Sequence, residues 1–246
     1  MSHICVGLPA YNEAENIRAL VPRIFEALNA AGIPARILLF DDGSTDGTAE
    51  AARAEAGERP LRILGGLPNG GLGRALKGLV AGFLEATKEG EDLVVMDADD
   101  THPPETIPAM AAKAAEGFDI VIASRYQRGS RIEGVPWHRR IGSRVISRYL
   151  SMRLKVAGVR DYTCGFRLYR GAFLRGLAGS SDALIRETGF ASTAELLLSL
   201  AARGARCAEV PFTLRYDRKI GPSKMRPLHE LGAIRRLRQR AKNRSG

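Results

Sequence analysis

The sequence has few cysteines and no long apolar run. Only three of its 246 residues are cysteine. That number is odd and the spacing is not that of a metal site, which argues against a disulfide framework and favours a reducing compartment. No stretch approaches the roughly 18 apolar residues that predict a membrane-spanning helix. The first residues enter a strand-like segment rather than a basic and then apolar leader, so we expect a cytoplasmic protein.

Two common nucleotide-binding signatures are also missing. The glycine-rich segment at 70–73 lacks the third glycine of a dinucleotide fingerprint and follows the wrong strand, which excludes a Rossmann dehydrogenase. No Walker A pattern is present. Any nucleotide site in this chain must therefore be built from other residues.

The two halves of the chain carry opposite charge. Residues 1–123 hold 10 Lys and Arg against 19 Asp and Glu, whereas residues 124–246 hold 27 against 8. Such asymmetry suggests a different partner for each half, although both sets would also make solvated faces. The acidic half suits a metal ion, and the basic half suits an anionic group or an anionic surface.

Apolar runs alternate with helical periodicity through the first half. The runs predict strands at 4–8, 36–40, 61–64, 92–96 and 120–123, and the periodicity predicts helices at 15–31, 48–56, 73–88 and 105–116. This alternation builds βαβ units, so we predict an α/β fold with a mostly parallel sheet and helices on both faces.

The alternation stops beyond residue 124. The pattern there predicts helices at 137–156, 192–203 and 227–244, a strand at 207–214, and a loop or strand at 161–170. No repeat or low-complexity linker divides the chain. We therefore expect a single domain of residues 1–246, with an acidic half at 1–123, a more helical basic half at 124–225 and a basic C-terminal helix at 226–246.

Polar residues follow four of the predicted strands, where ligands sit in parallel sheets. Asp97 and Asp99 follow the fourth strand. Two carboxylates at this spacing bind one hard cation, Mg²⁺ or Mn²⁺, together with phosphate oxygens. The same residues would also make a solvated acidic turn. The segment 97–101 further fits the Asp-x-Asp-x-Thr pattern of phosphatases with a nucleophilic Asp, but that chemistry needs a second acidic pair that the chain lacks downstream.

Six short motifs together resemble family 2 glycosyltransferases of the GT-A fold, and more closely their dolichol-phosphate mannosyltransferase branch. They are Pro9-Ala10-Tyr11-Asn12-Glu13, Asp41-Asp42-Gly43-Ser44, Asp97-Ala98-Asp99 with His102-Pro103-Pro104-Glu105, Ser124-Arg125-Tyr126, Asp161-Tyr162-Thr163-Cys164-Gly165-Phe166-Arg167, and Arg218-Lys219-Ile220-Gly221-Pro222-Ser223-Lys224. The resemblance spans about residues 4 to 225. It departs from the branch at Thr101, where Gln is frequent, and at Cys164, where Ser is usual.

The resemblance implies a role for each matching position. It assigns a nucleotide-sugar site to Pro9, Tyr11, Glu13, Asp41, Asp97, Ala98, Asp99, Arg125, Arg218, Ser223 and Lys224. Within that set Asp97 and Asp99 bind the metal and the diphosphate. Arg125 reaches the donor phosphates, and the loop that holds Lys224 closes over the diphosphate. The implied reaction is metal-dependent, inverting transfer of a sugar, from GDP-mannose or UDP-glucose, to a polyprenyl phosphate.

The basic half then gains a physical use, because arginine matches phosphate geometry. Four candidates for the acceptor phosphate are Arg131, Arg139, Arg167 and Arg170, each of which would equally serve as a surface arginine. A phosphate acceptor is already deprotonated at neutral pH and needs no base, whereas a hydroxyl acceptor does. Asp161 and Glu195 are the candidates for that base. Transfer to a soluble hydroxyl compound therefore remains an alternative.

Membrane contact is a further expectation. Residues 215–246 carry 11 Lys and Arg against two acids, which favours peripheral binding to an anionic cytoplasmic membrane. The apolar stripe of the C-terminal helix would also serve as a docking face on the protein's own core. A small membrane-spanning partner subunit is another anchor. A non-enzymatic nucleic-acid or membrane adaptor would leave the converging polar loops unexplained.

Overall fold

The computed structural model describes residues 3–86, 89–177, 184–189 and 191–221, without the side chains of His138 and Arg139. The described residues form nine strands and seven helices. The strands are β1 (His3–Ala10), β2 (Ala35–Asp41), β3 (Leu61–Gly65), β4 (Glu91–Val95), β5 (Ile120–Ser124), β6 (Arg131–Glu133), β7 (Arg167–Tyr169), β8 (Cys207–Pro211) and β9 (Thr213–Arg215). The helices are α1 (Ala14–Ala30), α2 (Thr48–Ala56), α3 (Leu72–Ala86), α4 (Ile107–Ala115), α5 (Trp137–Leu154), α6 (Gly171–Arg175) and α7 (Ala191–Ala201).

Seven of the strands form one sheet in the order β3-β2-β1-β4-β7-β5-β8. Strand β7 runs antiparallel to both neighbours, and every other pairing in this sheet is parallel. The predicted α/β fold with a mostly parallel sheet is confirmed. Both halves of the chain contribute to it, because β7 and β8 belong to the second half.

The central strands are buried on both faces. Ile4, Cys5 and Val6 follow one another in β1 and all have 0% exposure. Because successive side chains of a strand point to opposite faces, layers of structure must cover both sides of the sheet. Helix α1 contributes to this cover with an apolar stripe that includes Ile17, Leu20 and Ile24, as its periodicity predicts.

The second half differs from its prediction in one strand. The segment predicted as a single strand at 207–214 is divided into β8 and β9, which lie in different sheets. Strand β8 ends at Pro211, whose nitrogen has no hydrogen to donate to a neighbouring strand. Strand β9 then pairs with β6 in a two-stranded parallel sheet. Because 3₁₀ turn Tyr216–Arg218 follows β9 directly, this small sheet carries the polar loop at 216–221.

Helix α5 confirms the helix predicted at 137–156 and ends two residues earlier. Within the described ranges, no helix combines the length and the apolar character that crossing a bilayer requires. The C-terminal helix predicted at 226–246 lies outside the described residues.

Candidate active site

The loops after β1 and β2 are joined by hydrogen bonds at the carboxyl edge of the sheet. The backbone N–H of Asn12 donates to Ser44 Oγ over 2.9 Å, and the N–H of Thr45 donates to Asn12 Oδ1 over 2.8 Å. Asn12 adopts a positive φ of 51°, which Asn tolerates better than most residues. Asp41 Oδ1 accepts the N–H of Ser44 at 2.8 Å. These contacts join the two segments that contain the predicted nucleotide residues Pro9, Tyr11, Glu13 and Asp41.

Asp97 and Asp99 follow β4 at the same edge, and their carboxyl groups differ. Burial and the nearby Asp99 charge raise the pKa of Asp97, although His102 partly opposes this. Burial alone would also raise the pKa of Asp99, but the Lys219 ammonium and His102 outweigh it, so the pKa of Asp99 lies below its ordinary value. Asp99 Oδ1 also accepts the hydroxyl of Thr101 at 2.7 Å. The pair is asymmetric, with Asp99 the more firmly ionised partner.

The loop at 216–221 lies over this pair and is held in two places. The Lys219 ammonium forms an ion pair with Asp99. The side-chain amide of Asn16 in α1 donates to the carbonyl of Ile220 at 3.1 Å and accepts the N–H of Ile220 at 3.0 Å. Asn16 also donates to Glu13 Oε2 over 2.6 Å. The loop is therefore connected both to the acidic pair and, through Asn16, to Glu13 after β1.

The antiparallel strand β7 brings the 161–167 motif beside Asp97. Because β7 pairs with β4, with Arg167 opposite Val95, the residues before Arg167 run past the end of β4. A Cβ atom at Gly165 would lie only 3.2 Å from Asp97 Oδ1. Glycine at this position thus lets the backbone of the motif approach the acidic pair closely. The 161–167 motif and the acidic pair therefore lie in one site.

Arg125 and Asp161 form a two-point ion pair inside this site. Arg125 Nε donates to Asp161 Oδ2 over 2.7 Å and Nη2 donates to Oδ1 over 2.6 Å. Nη2 also donates to Thr163 Oγ1 at 2.6 Å. Burial would raise the pKa of Asp161, but the Arg125 guanidinium overcomes it, so that pKa is lowered. Asp161, one of the two candidate bases, is 0% exposed and held by Arg125, which is the geometry of a residue that positions the Arg125 guanidinium.

Glu195, the other candidate base, is also enclosed. It is 4% exposed, and its Oε2 atom accepts the backbone N–H groups of Arg186 at 2.6 Å and Glu187 at 2.7 Å. This carboxylate holds the segment before α7 in place.

Two of the predicted acceptor arginines make other contacts in this structure. Arg167 is 0% exposed, and its guanidinium donates to the carbonyls of Thr193 and Tyr162 at 2.5 and 2.8 Å. Arg170 follows the end of β7, which lies at the start of β4 and β5 because β7 is antiparallel. It lies there 3.7 Å from Asp119, at the sheet edge opposite the acidic pair.

Two further predicted arginines, Arg131 and Arg218, lie near the loop at 216–221. Arg131 is exposed at the start of β6, in the small sheet next to the loop at 216–221. Arg218 is partly buried, and its Nη1 atom is buried without a hydrogen-bond partner among the described residues. A buried guanidinium nitrogen of this kind suits an anionic oxygen. The side chain of Arg139 and all of Ser223 and Lys224 lie outside the described residues.

Sequence reasoning gave no role to three residues that the structure brings to the site. They are Asn16, His102 and Lys219. His102 accepts the N–H of Asp97 at 3.1 Å and stacks on Phe166 with ring centroids 5.1 Å apart. His102 and Lys219 lay within the quoted motifs. Asn16 belongs to none of the motifs. The only feature of the sequence that points to it is its position three residues after Glu13, in the first turn of α1.

The donor atoms fit a hard divalent cation. Asp97 and Asp99 offer carboxylate oxygens, and the Lys219 ammonium already occupies a cation position against Asp99. Among the described residues, no group of three or more His, Cys, Asp and Glu side chains is arranged to hold a metal. Two carboxylates suit Mg²⁺ or Mn²⁺ when phosphate oxygens and water complete the ligand set.

The sequence matches a known family over most of its length. Residues 5–177 match the glycosyl transferase family 2 model. The chain is 33% identical to the dolichol-phosphate mannosyltransferase of Pyrococcus furiosus over 91% of its own length, and it spans only 59% of that relative. It is also 33% identical to the polyprenol monophosphomannose synthase of Mycolicibacterium smegmatis, over 89% of this chain and 80% of that one.

Solved structures agree on the fold. Glucosyl-3-phosphoglycerate synthase from Mycobacterium tuberculosis, in complex with Mn²⁺, UDP and phosphoglyceric acid, superposes with a TM-score of 0.65 at 24% identity, over 100% of this chain and 79% of that one. The same enzyme with Mg²⁺ and UDP gives a TM-score of 0.61 at 23% identity, over 96% and 76% of the two chains. These likenesses confirm the GT-A type of α/β fold. With this fold and the family match over residues 5–177, the chain is an enzyme that belongs to glycosyl transferase family 2.

Proposed function

We propose that the chain transfers a sugar from a nucleotide sugar to a polyprenyl phosphate, with inversion at the anomeric carbon. The names of the relatives support this acceptor, because they describe mannose transfer to dolichol and polyprenol phosphates. An oxygen of the acceptor phosphate attacks the anomeric carbon, the bond from that carbon to the diphosphate breaks, and the nucleoside diphosphate leaves. One displacement of this kind needs no nucleophile from the protein.

The ion pair between Arg125 and Asp161 is the observation that carries this choice of acceptor. A hydroxyl acceptor needs a base, and Asp161 is enclosed and hydrogen-bonded to Arg125. Glu195 is likewise enclosed by backbone N–H groups. A phosphate acceptor brings its own ionised oxygen, so it needs only positioning and positive charge. Arg125, Arg131 and Arg218 are the cations proposed to supply that charge.

The donor is proposed to lie along the edge that Pro9, Tyr11, Glu13 and Asp41 form. Asp97 and Asp99 would hold Mg²⁺ or Mn²⁺ together with the diphosphate, and Ala98 would lie between them. The metal, when bound, neutralises the charge that grows on the leaving diphosphate. Arg218, Ser223 and Lys224 would add positive charge and hydrogen bonds from the loop. GDP-mannose is the first donor to test because the relatives transfer mannose, and UDP-glucose is the second.

Peripheral membrane binding at the cytoplasmic face follows from this acceptor. A polyprenyl phosphate lies in a bilayer, so the enzyme must reach the bilayer surface. The basic C-terminal helix predicted at 226–246, or a small membrane subunit, would hold it there. Near an anionic leaflet each lysine or arginine contributes about 1 kcal/mol to the free energy of membrane binding, and salt screens this attraction.

A binding screen and a transfer assay test the proposal. Thermal unfolding with Mn²⁺ and GDP, UDP or dTDP sugars should show one donor that raises the melting temperature, because a ligand of the folded state stabilises it. That donor, carrying labelled sugar, should then convert polyprenyl phosphate into a glycolipid that releases the label in mild acid. Label found only on a soluble hydroxyl compound would replace the proposed acceptor with the alternative one.

A further inference from the structure

Helix α5 presents a stripe of large apolar side chains to the solvent. Trp137 is 73% exposed, Ile141 55%, Val145 61% and Met152 55%, and Tyr149 completes the row at 37%. Their spacings of four, four, four and three residues place all five on one side of the helix. Scattered apolar residues on a surface are ordinary, whereas a continuous row of this length marks an interaction surface.

The opposite side of α5 packs against the protein. Ser147 and Leu150 are buried there, and Ile146 and Leu154 pack against the main core. The helix has thus already buried one apolar side in the fold. The solvent-facing stripe is a second apolar side, separate from the one that packs on the core.

Positive charge flanks this stripe. The sequence of α5, Trp137–Leu154, contains five arginines and no acidic residue. Arg140, Arg144 and Arg148 are all exposed in this helix, and the Arg153 guanidinium lies 5.8 Å from the ring centre of Tyr149. An exposed apolar row with aromatic residues, bordered by arginines, is the pattern of a helix that lies in a membrane interface.

Two tyrosine hydroxyls connect α5 to the candidate active site. Tyr126, the residue after Arg125, shares a 2.9 Å hydrogen bond with Ser143 in α5. The hydroxyl of Tyr162, the residue after Asp161, accepts the N–H of Val156 just beyond the helix at 2.9 Å. The helix therefore lies next to Arg125 and Asp161, the ion pair whose guanidinium is proposed to face the acceptor phosphate.

We propose that α5 lies in the plane of an anionic membrane surface, with its apolar stripe among the lipids and its arginines on lipid phosphates. Charge complementarity selects this occupant. A second copy of the same face would oppose arginine to arginine, and residues 222–246 carry eight Lys and Arg against one acid, so they would also bring like charge. The purpose of the contact rests on the proposed lipid acceptor, because α5 would bring the site to that acceptor's phosphate.

Trp137 is a built-in probe, since it is the only tryptophan of the chain. Adding vesicles of phosphatidylglycerol and phosphatidylcholine to the full-length protein should shift its emission to shorter wavelength. Lipids brominated on the acyl chains should quench it. Vesicles that float with the protein but leave Trp137 emission unchanged would place the membrane contact elsewhere and overturn the proposal.

Two pairs of substitutions separate the apolar and the charged contributions. The double variant Ile141→Ser with Val145→Ser should lose binding, whereas Leu67→Ser, at a 76% exposed position outside α5, should keep it. The double variant Arg140→Gln with Arg144→Gln should bind roughly 25-fold more weakly, because each charge contributes about fivefold. The matched control is Arg53→Gln with Arg62→Gln, which removes two arginines from surface ion pairs on other elements. Equal loss in test and control pairs would overturn the assignment to α5.

Two other occupants give different results without lipid. If a second copy covers the stripe, the protein will sediment as a dimer and the Ile141→Ser with Val145→Ser variant as a monomer. If residues 222–246 cover it, acrylamide will quench Trp137 weakly in the full chain and strongly after their removal. Either result would overturn the proposal.

Transfer assays distinguish failure of this inference from failure of the proposed function. The Ile141→Ser with Val145→Ser variant should transfer sugar normally to a water-soluble short-chain polyprenyl phosphate and poorly to a long-chain one in vesicles. Equal loss with both acceptors would contradict the role of α5. Membrane insertion of Trp137 without transfer by the wild type to either acceptor would contradict the proposed function alone.

Discussion

The ammonium group of Lys219 forms an ion pair with the carboxylate of Asp99, across 120 positions of sequence. Both side chains are largely buried, at 10% and 14% exposure. Burial lowers the pKa of Lys219, but Asp99 outweighs it, so the ammonium stays charged. The contact joins the loop at 216–221 to the proposed metal site.

Lys219 and a divalent cation should compete for the same carboxylate. We expect Lys219→Gln to lower the Mn²⁺ concentration needed for half-saturation by roughly three- to tenfold. In this variant Mn²⁺ no longer has to displace the Lys219 ammonium from the Asp99 carboxylate. Electron paramagnetic resonance of free Mn²⁺ measures this without any turnover. Lys155→Gln, which removes a lysine beyond the end of α5, is the control. Weaker Mn²⁺ binding in Lys219→Gln would show that the ammonium supports the metal site instead.

Asp97→Asn and Asp99→Asn should each reduce transfer by at least about 100-fold, because a metal supplies several kcal/mol of charge stabilisation to a leaving group. The matched control is Asp100→Asn, which makes the same change one residue away, where the carboxylate pairs with Arg23. Asn also tolerates the positive φ of 57° at that position. Full activity of Asp97→Asn, or of the wild type in EDTA, would remove the metal from the proposed function.

Release of the loop at 216–221 should be measurable by proteolysis. Asn16→Ala removes two hydrogen bonds to Ile220, and at about 1 kcal/mol each this should increase tryptic cleavage after Arg218 and Lys219 by roughly 30-fold. Nucleotide and Mn²⁺ together should slow cleavage in the wild type, as expected for a loop that closes on its ligand. Asn29→Ala, at an exposed position of the same helix, should behave as the wild type does. Cleavage of Asn16→Ala at the wild-type rate would show that these two bonds do not hold the loop.

The residues that follow the loop at 216–221 lie outside the described residues, but the family resemblance makes a prediction at Lys224. Lys224→Ala should raise the concentration of donor needed for half-saturation, because a positive charge near the diphosphate is lost. Isothermal titration with nucleotide and Mn²⁺ measures the change. Unaltered donor binding in this variant would exclude Lys224 from the diphosphate site.

The first five strands are predictable because each is a short apolar run, and polar loops follow four of them. The positions of Asp97 and Asp99 at the carboxyl edge followed from that pattern, since parallel strands end at a common edge. For the segment that contains β7, the sequence pattern predicts either a loop or a strand. Strand β7 has only three residues, which is too short for periodicity to identify.

The direction of β7 decided which arginines reach the site. An antiparallel strand carries Arg170 to the far edge of the sheet and brings Gly165 beside Asp97. Arg167 could not be recognised as buried, because its partners are carbonyls of Tyr162 and Thr193, and Thr193 is distant in sequence. Ion pairs across long separations, such as that of Lys219 with Asp99, depend on the same topology and leave no local signal.

The ion pair between Arg125 and Asp161 makes a prediction about stability and pH. Asp161→Asn leaves a buried guanidinium without its counter-ion, which should cost on the order of 3–5 kcal/mol of unfolding free energy at pH 7. Because the folded-state pKa of Asp161 is lowered, mainly by Arg125 acting against burial, its contribution is complete above the unfolded value of about 3.9 and is lost as the pH falls below it. Urea unfolding from pH 7 down to pH 3 should therefore show the unfolding free energies of the wild type and the variant converging below about pH 4.

As a control, Asp217→Asn breaks an exposed pair with Arg215 and should change stability little at any pH. A gap that stays constant down to pH 3 would mean that the cost of Asp161→Asn comes from packing rather than from the lost charge.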